Sequence, residues 1–475
     1  MENNTQLKEM IRSMVIDVLQ GQKQETASSQ PVKQVSHGQE PGVFDTVDEA
    51  IRAAKEAQLR FEDCTLATRE KVIADIRAAM RPRVQELAQK TVEETGMGRV
   101  ADKVLKLNLT LDKTPGVEDL VTECETGDNG MTLYELSAYG VIGAITPSTN
   151  PAETLICNSI GMLAAGNAIF FSVHPGAKNL SRELVSELNQ VIAKSIGIEN
   201  LIVTLREPSI EFAQEMMLHP DVSLLVVTGG PGVVKQALQS GKKVIGAGAG
   251  NPPAFVDETA DIKKAAQDIV LGASLDNNIL CIAEKSVVAM RQIEPQLVQE
   301  MVKVGCVLVD NQQDIQRLVD LTVLSNGTPN KQFVGKNASV ILDAAHIPYN
   351  GDPRLIILRT PKDHPFAVIE MLMPILPVIT VDSFDEGLNV CLMLEAGLHH
   401  TATMHSLNME RLNQMARKMK TSIFVKNGPS YAGLGFSGEG TTTFTIATPT
   451  GESTTSARCF ARRRRCCLTT GFNIR

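Results

Sequence analysis

A chain of 475 residues, 43% of them hydrophobic, is long enough to bury a large core divided among roughly two or three domains. Its formal net charge of -8 excludes the basic face that nucleic acid or an anionic membrane would need, and no apolar run is long enough to span a bilayer. Nine cysteines without a CxxC pair or zinc-ligand spacing fit reduced thiols in a cytoplasmic protein, with no metal and with small soluble partners.

In residues 1–20, Leu7, Met10, Ile11, Met14, Val15 and Val18 fall at helical spacing between charged residues, predicting an amphipathic helix. Residues 21–42 are rich in Gln and Ser, contain Pro31 and Pro41, and read as a flexible linker. A helix on such a tether either packs back on its own domain or docks on another protein. From Phe44 to about Thr95 the pattern is helical, and Gly96 ends it. The DNG turn in residues 121–137 predicts a hairpin.

Apolar strands YGVIGAIT, AIFFSV, LIVTL and SLLVVTG then alternate with helical windows at 177–193 and 209–218. After KKVIGAGAGNPPAFVD a second alternation runs through 262–275, 286–290 and 295–304. Strands alternating with helices predict two α/β units in series, each with a parallel sheet and right-handed crossovers. The tail carries four consecutive arginines, too isolated to outweigh the acidic total, and reads as a strand at a subunit contact.

Four stretches have the residue types for chemistry. In ITPSTNPAET, residues 145–154, Pro147 and Pro151 would hold Asn150 so that its amide donates to an oxygen developing negative charge; the same asparagine equally suits a plain turn. In LLVVTGGPGVVKQAL, residues 224–238, a strand runs through Thr228, Gly229, Gly230 and Gly232 into a helix, leaving backbone amides for a phosphate or dinucleotide, although the full GxGxxG spacing is missing. In GAGAGNPPAFVD, residues 246–257, small residues including Gly248 let something flat approach the backbone. Ordinary turn chemistry is the alternative for both glycine runs. DNNILCIAEKS, residues 276–286, puts Cys281 in a loop between a predicted helix and a predicted strand, where α/β scaffolds carry catalytic groups, although a lone cysteine is more often a core residue.

Taken in order over nearly the whole chain, PSTNP, VVTGGPG, GAGAGNPP, CIAEKS, EMLMPILPV, HHTATMHS and TSIFVKNGPSYAGLG resemble the CoA-acylating branch of the aldehyde dehydrogenase superfamily. TPGVEDL, HPGAKN and the tail FARRRRCCLTTGFNIR resemble its propionaldehyde-oxidising subgroup from propanediol utilisation. The resemblance implies a dinucleotide-binding domain at 43–245 and a catalytic domain at 246–430. A β oligomerisation arm would be formed by the hairpin 121–137 and the return 431–475, and hence a homo-oligomer. It implies that Cys281 attacks a short-chain aldehyde, that Asn150 and the Cys281 N–H stabilise the oxyanion, that NAD takes the hydride and that coenzyme A takes the acyl group.

For NAD the implied residues are the Thr228–Gly232 turn, Gly248, Glu370 at the nicotinamide ribose, and His174 with Pro175 near the adenine ribose, where Ala177 replaces a carboxylate that favours NAD over NADP. Aligned on the proline, Ala247 stands where hydrolytic relatives place the glutamate that activates water, so a thioester on Cys281 would wait for CoA thiolate. Ser453 stands where the family tends to have glycine and would strain a turn in the arm. The subgroup's N-terminal helix addresses it to the lumen of a bacterial microcompartment, which implies that residues 1–20 dock on a shell protein. An NAD(P)-dependent enzyme releasing free acid and a catalytically silent compartment protein are the alternatives.

Overall fold

The computed structural model describes residues 40–473; the expected targeting helix and almost all of the linker lie outside the described residues. After a short strand β1 (Val43–Phe44) come three helices, Val47–Glu62, Leu66–Met80 and Val84–Thr95. The Thr46 and Thr65 hydroxyls each accept from a backbone N–H three residues on, which starts the first two. Gly96, at φ 66, ends the third by donating its N–H to the Val92 carbonyl, the left-handed stop that glycine adopts without a Cβ clash.

The helix Val100–Lys113 leads to the hairpin β2 (Glu123–Gly127) and β3 (Gly130–Ala138), which turns at Asp128 and Asn129. Then β4 (Val141–Ile145), β5 (Ala168–Ser172), β6 (Ile202–Leu205), β7 (Val222–Thr228) and β8 (Lys243–Ala247) join β1 in a six-stranded sheet, ordered β1-β6-β5-β4-β7-β8 and parallel throughout. Its inner strands read as almost unbroken apolar runs because helices cover both faces. Ile142, Phe170, Phe171, Leu225 and Val226 are buried there, and every residue of the helix Pro151–Ala164 is buried as well.

β9 (Pro253–Val256), β10 (Ser286–Met290), β11 (Cys306–Leu308), β12 (Leu355–Arg359), β13 (Ile375–Val381), β14 (Thr401–His405) and β15 (Ile423–Lys426) form a seven-stranded sheet, ordered β11-β12-β13-β10-β9-β14-β15 and again parallel. Its core gathers Phe255, Val288, Val378 and Met404. The two α/β sheets in series are thus present, and among the described residues a two-stranded pair, β16 (Ile446–Ala447) with β17 (Ser453–Thr454), and a third sheet stand outside them.

That third sheet holds the arginine tail. β18 (Ala461–Thr469) runs antiparallel to β3 of its own chain, from Ala461 opposite Ala138 to Thr469 opposite Gly130, giving the order β18-β3-β2. Within the chain the tail pairs with the hairpin, and the other edge of β18 carries no strand of the described residues. Arg463 lies 3.7 Å over the Tyr134 ring and donates to Glu123 at 2.6 Å, so stacking and one carboxylate accommodate part of the charge run. Ser453 sits at φ 62, in the left-handed region that costs an L-residue roughly 1–2 kcal/mol; the strain falls in the β16–β17 pair, outside the three-stranded sheet. Among the described residues no helix is long and apolar enough to cross a membrane, and no cluster of His, Cys, Asp and Glu is arranged to hold a metal ion.

Candidate active site

The carboxyl ends of β5, β4, β7 and β8 are neighbours in the first sheet, and four of the expected segments leave from them: His174 and Pro175 from β5, Asn150 from β4, the glycine turn from β7, and the 246–253 run from β8. In open α/β sheets this edge is where ligands bind. Thr228 closes β7 with its hydroxyl 2.8 Å from that of Thr445, and Gly229 and Gly230 turn the chain into the helix Pro231–Leu238. A Cβ at Gly230 or Gly232 would meet nothing within 4 Å, and at Gly229 only Val233 at 3.9 Å. The chain's own packing therefore does not require these glycines, and the open space before them fits a group that must come close to backbone.

Beside this turn is a cleft of about 410 Å³ lined by Pro231, Val234, Gly248, Ala249, His399 and Pro449, among others. Gly248 is thus placed on a cavity wall. His174 and Pro175 are outside that lining, on the far side of β4, where the exposed His174 accepts the Gly176 N–H at 3.0 Å on Nδ1.

The cysteine loop is built by an unusual backbone. Asp276, Asn277 and Asn278 have φ values of 50, 55 and 65, three left-handed residues in succession after the helix Ile262–Ser274. Asp and Asn bear that conformation better than other side chains, and here each is also tied down. Asp276 accepts the Arg99 N–H at 2.8 Å; Asn277 donates to the Gly335 carbonyl at 2.9 Å and to Asn337 at 2.8 Å; Asn278 donates to the Ala273 and Glu284 carbonyls at 2.7 and 2.9 Å. Lys285 folds back under the loop and donates to the Asn278 carbonyl and side-chain oxygen, both at 2.7 Å, and to the Leu280 carbonyl at 3.0 Å.

Cys281 itself is partly exposed and packs against an apolar cluster that includes Leu109, Cys157, Leu280, Ile282 and Phe444, with Tyr431 and Phe436 at its margin. Burial pushes its thiol up to about 12; the Glu370 carboxylate adds to that rise and Lys285 opposes it. Burial likewise brings Lys285 down to about 8 and Glu284 up to about 7, although Ser430 donates both its N–H and its hydroxyl to Glu284 at 2.7 Å. Cys306 and Cys391 are wholly buried packing residues.

At Gly250 the approach expected of the small-residue run is visible: a Cβ there would stand 2.6 Å from the Cys281 carbonyl oxygen and 2.8 Å from the His400 ring. What comes close at this position is the backbone of Cys281. The Gly250 N–H donates to Glu370 at 3.2 Å, which brings the two distant segments together at the cysteine. His400 is buried, holds Thr401 at 3.0 Å through Nδ1, and is kept neutral by burial, which lowers it to about 4.

Asn150 caps the start of the helix Pro151–Ala164. Its side-chain oxygen accepts from the Lys106 ammonium at 2.5 Å and its Nδ2 donates to Thr149 at 3.2 Å. Lys106 also pairs with Asp276 at 2.5 Å and Glu153 at 2.9 Å, while Lys103 pairs with Asp276 and with the Thr149 carbonyl, both at 2.8 Å. All four charged side chains are fully buried. Burial works against charge on Lys106, but Asp276 and Glu153 hold it above the ordinary lysine range. None of Lys103, Lys106, Glu284, Lys285 or His400 was singled out from sequence; the only trace was charged residues inside otherwise apolar segments.

The chain is similar to proteins already known. Residues 20–447 match the aldehyde dehydrogenase family. Over 474 residues, all of both chains, the sequence is 52% identical to a propanal dehydrogenase (CoA-propanoylating) of Salmonella typhimurium. A crystal structure of Rhodopseudomonas palustris propionaldehyde dehydrogenase with bound CoA and an acylated cysteine is 48% identical with a TM-score of 0.90, over 91% of this chain and 99% of that one. A propionaldehyde dehydrogenase from the Clostridium phytofermentans fucose utilisation bacterial microcompartment is 46% identical with a TM-score of 0.90, over 92% and 100%.

Proposed function

The chain belongs to the aldehyde dehydrogenase family, and from that premise we propose that it oxidises propionaldehyde, or a similarly short aldehyde, with NAD and CoA to the acyl-CoA and NADH. The observation that carries this reading is the Cys281 loop, whose backbone carbonyl lies against Gly250 of residues 246–253, a run with no carboxylate to activate water. The carboxylates that do come near are engaged: Glu370 accepts the Gly250 N–H and Glu284 is held by Ser430.

Thr228, Gly229, Gly230, Gly232 and Gly248 would hold NAD, with Glu370 at the nicotinamide ribose and His174 and Pro175 toward the adenine end; bound NAD supplies the hydride acceptor. The Cys281 thiolate adds to the aldehyde carbon. The Asn150 amide and the Cys281 N–H donate to the oxygen as it becomes negative, and departure of the hydride leaves a thioester on Cys281. With Ala247 offering no base, water stays a poor nucleophile, and CoA thiolate, which needs little general-base help at neutral pH, displaces the acyl group and returns Cys281. The apolar margin of Tyr431, Phe436 and Phe444 suits a short alkyl chain. One methylene changes binding there by only about 1–3 kcal/mol, so neighbouring chain lengths should overlap as substrates.

The exposed three-stranded sheet β18-β3-β2 suits an oligomerisation arm, and residues 1–20 would carry the enzyme to a microcompartment shell protein. The test is turnover of propionaldehyde and NAD with and without CoA. Sustained NADH formation that needs CoA is expected, and Asn150→Ala should slow it by roughly two to three orders of magnitude, the usual cost of one oxyanion donor. CoA-independent turnover to free acid would overturn the acylating reading, and less than a tenfold loss in Asn150→Ala would return that residue to turn stabilisation.

A further inference from the structure

We propose that Lys106, anchored by Asp276, is a positioning residue that turns Asn150 into an oxyanion donor and fixes its place relative to Cys281; the inference rests on the oxyanion role given to Asn150 above. A primary amide is nearly symmetric in shape, and a flip would present its carbonyl oxygen to the substrate oxygen, replacing attraction with repulsion. An ammonium has only donors, so the Asn150 oxygen must face Lys106, at 2.5 Å, and Nδ2 must face away. One Nδ2 hydrogen is used on Thr149 at 3.2 Å, which leaves the other for the substrate. The bond from a cation also polarises the amide and strengthens Nδ2–H as a donor.

The same ammonium reaches the nucleophile's loop. Asp276 bonds Lys106 and Lys103 through one carboxylate oxygen and the Arg99 N–H through the other, and it begins the left-handed run that ends at Asn278, just before Cys281. Asn150 leaves the first sheet and Cys281 precedes β10 of the second, so their separation is not set by either sheet alone. The Asn150–Lys106–Asp276 chain spans the two. Lys103 pins the Thr149 carbonyl, immediately before Asn150, and Glu153 adds a second carboxylate to Lys106, so within this cluster two ammonium groups face two carboxylates. Charge in a dry interior is costly unless balanced in this way, and an apolar helix end would hold the fold as well.

The test is a double-mutant cycle with Asn150→Ala, read by kcat and KM for the aldehyde alongside thermal unfolding. Lys106→Met is one variant; Lys106→Met with Glu153→Gln is the second, which keeps the buried charges balanced if the first unfolds. In the otherwise wild-type chain kcat should fall roughly 30- to 100-fold, with KM changed by less than about threefold, because the lost interaction forms in the transition state. In the Asn150→Ala background the same change should cost less than about threefold, since its target is gone. Near-full activity in a folded Lys106 variant overturns the proposal while leaving Asn150 in its role, and so does an equal loss in both backgrounds. Near-full activity of Asn150→Ala overturns the oxyanion assignment itself, and the proposal with it.

Discussion

At the scale of single residues, burial pushes the Cys281 thiol up to about 12, so it is mostly protonated at neutral pH. Thiolate fraction changes tenfold for each pH unit below the pKa, and alkylation of Cys281 by iodoacetamide should therefore keep rising through pH 9 with no plateau. Glu370 is part of the cause. In Glu370→Gln the repulsion is gone, the thiol pKa falls, and alkylation at pH 8 should become severalfold faster while KM for NAD rises. An unchanged alkylation profile would show that the carboxylate does not bear on the thiol. Cys281→Ala controls for other thiols and should be folded and inactive. Cys281 and Asn150 could be named as candidates from sequence because their motifs are short and local. Lys106 was not, since a lysine on an amphipathic helix normally reads as a solvated face, and nothing in its neighbours announces a partner 44 residues away.

At the scale of elements, the glycine run and the cysteine loop are one device. Gly250 is small because the Cys281 carbonyl and the His400 ring fill the place of its Cβ, whereas Gly230 and Gly232 face open space. Gly250→Ala should accordingly behave as overpacking, costing about 1–3 kcal/mol of stability and lowering kcat by shifting the loop, while Gly232→Ala should leave unfolding nearly unchanged and weaken NAD binding. Thermal unfolding together with NAD titration checks both; equal behaviour of the two variants would refute the distinction. The sequence pattern placed both runs in turns between strand and helix. It gave no means to tell a glycine required by the protein from one that leaves room for a ligand, because the difference lies in which distant atoms come close.

At the scale of the whole molecule, residues 21–42 are rich in polar side chains, and if they serve as the linker expected from sequence, catalysis need not involve residues 1–20. Deleting them should leave specific activity within about twofold, and a fluorescent protein fused to residues 1–20 should enter microcompartments in cells that build them. A deletion that destroys activity, or a fusion that stays diffuse, would count against an address function. An amphipathic helix docking by its apolar stripe should also lose the address when charges are placed at Ile11 or Val15.

Sequence alone determined the two α/β units, the hairpin at the DNG turn and the helix ended by Gly96, because strand and helix periodicity and turn chemistry are properties of neighbouring residues. It also determined that no base stands in residues 246–253, since an absent side chain needs no structure to be seen. Tertiary structure alone decided the rest. The arginine tail pairs with β3 of its own chain because strand partners across 320 residues and more are chosen by which edge is open, not by the strand itself. Lys106, Glu370 and Gly250 converge on Cys281 and Asn150 because two sheets bring their loops to one place, and charges that would each read as surface groups in a sequence become a balanced, dry network once they are buried together.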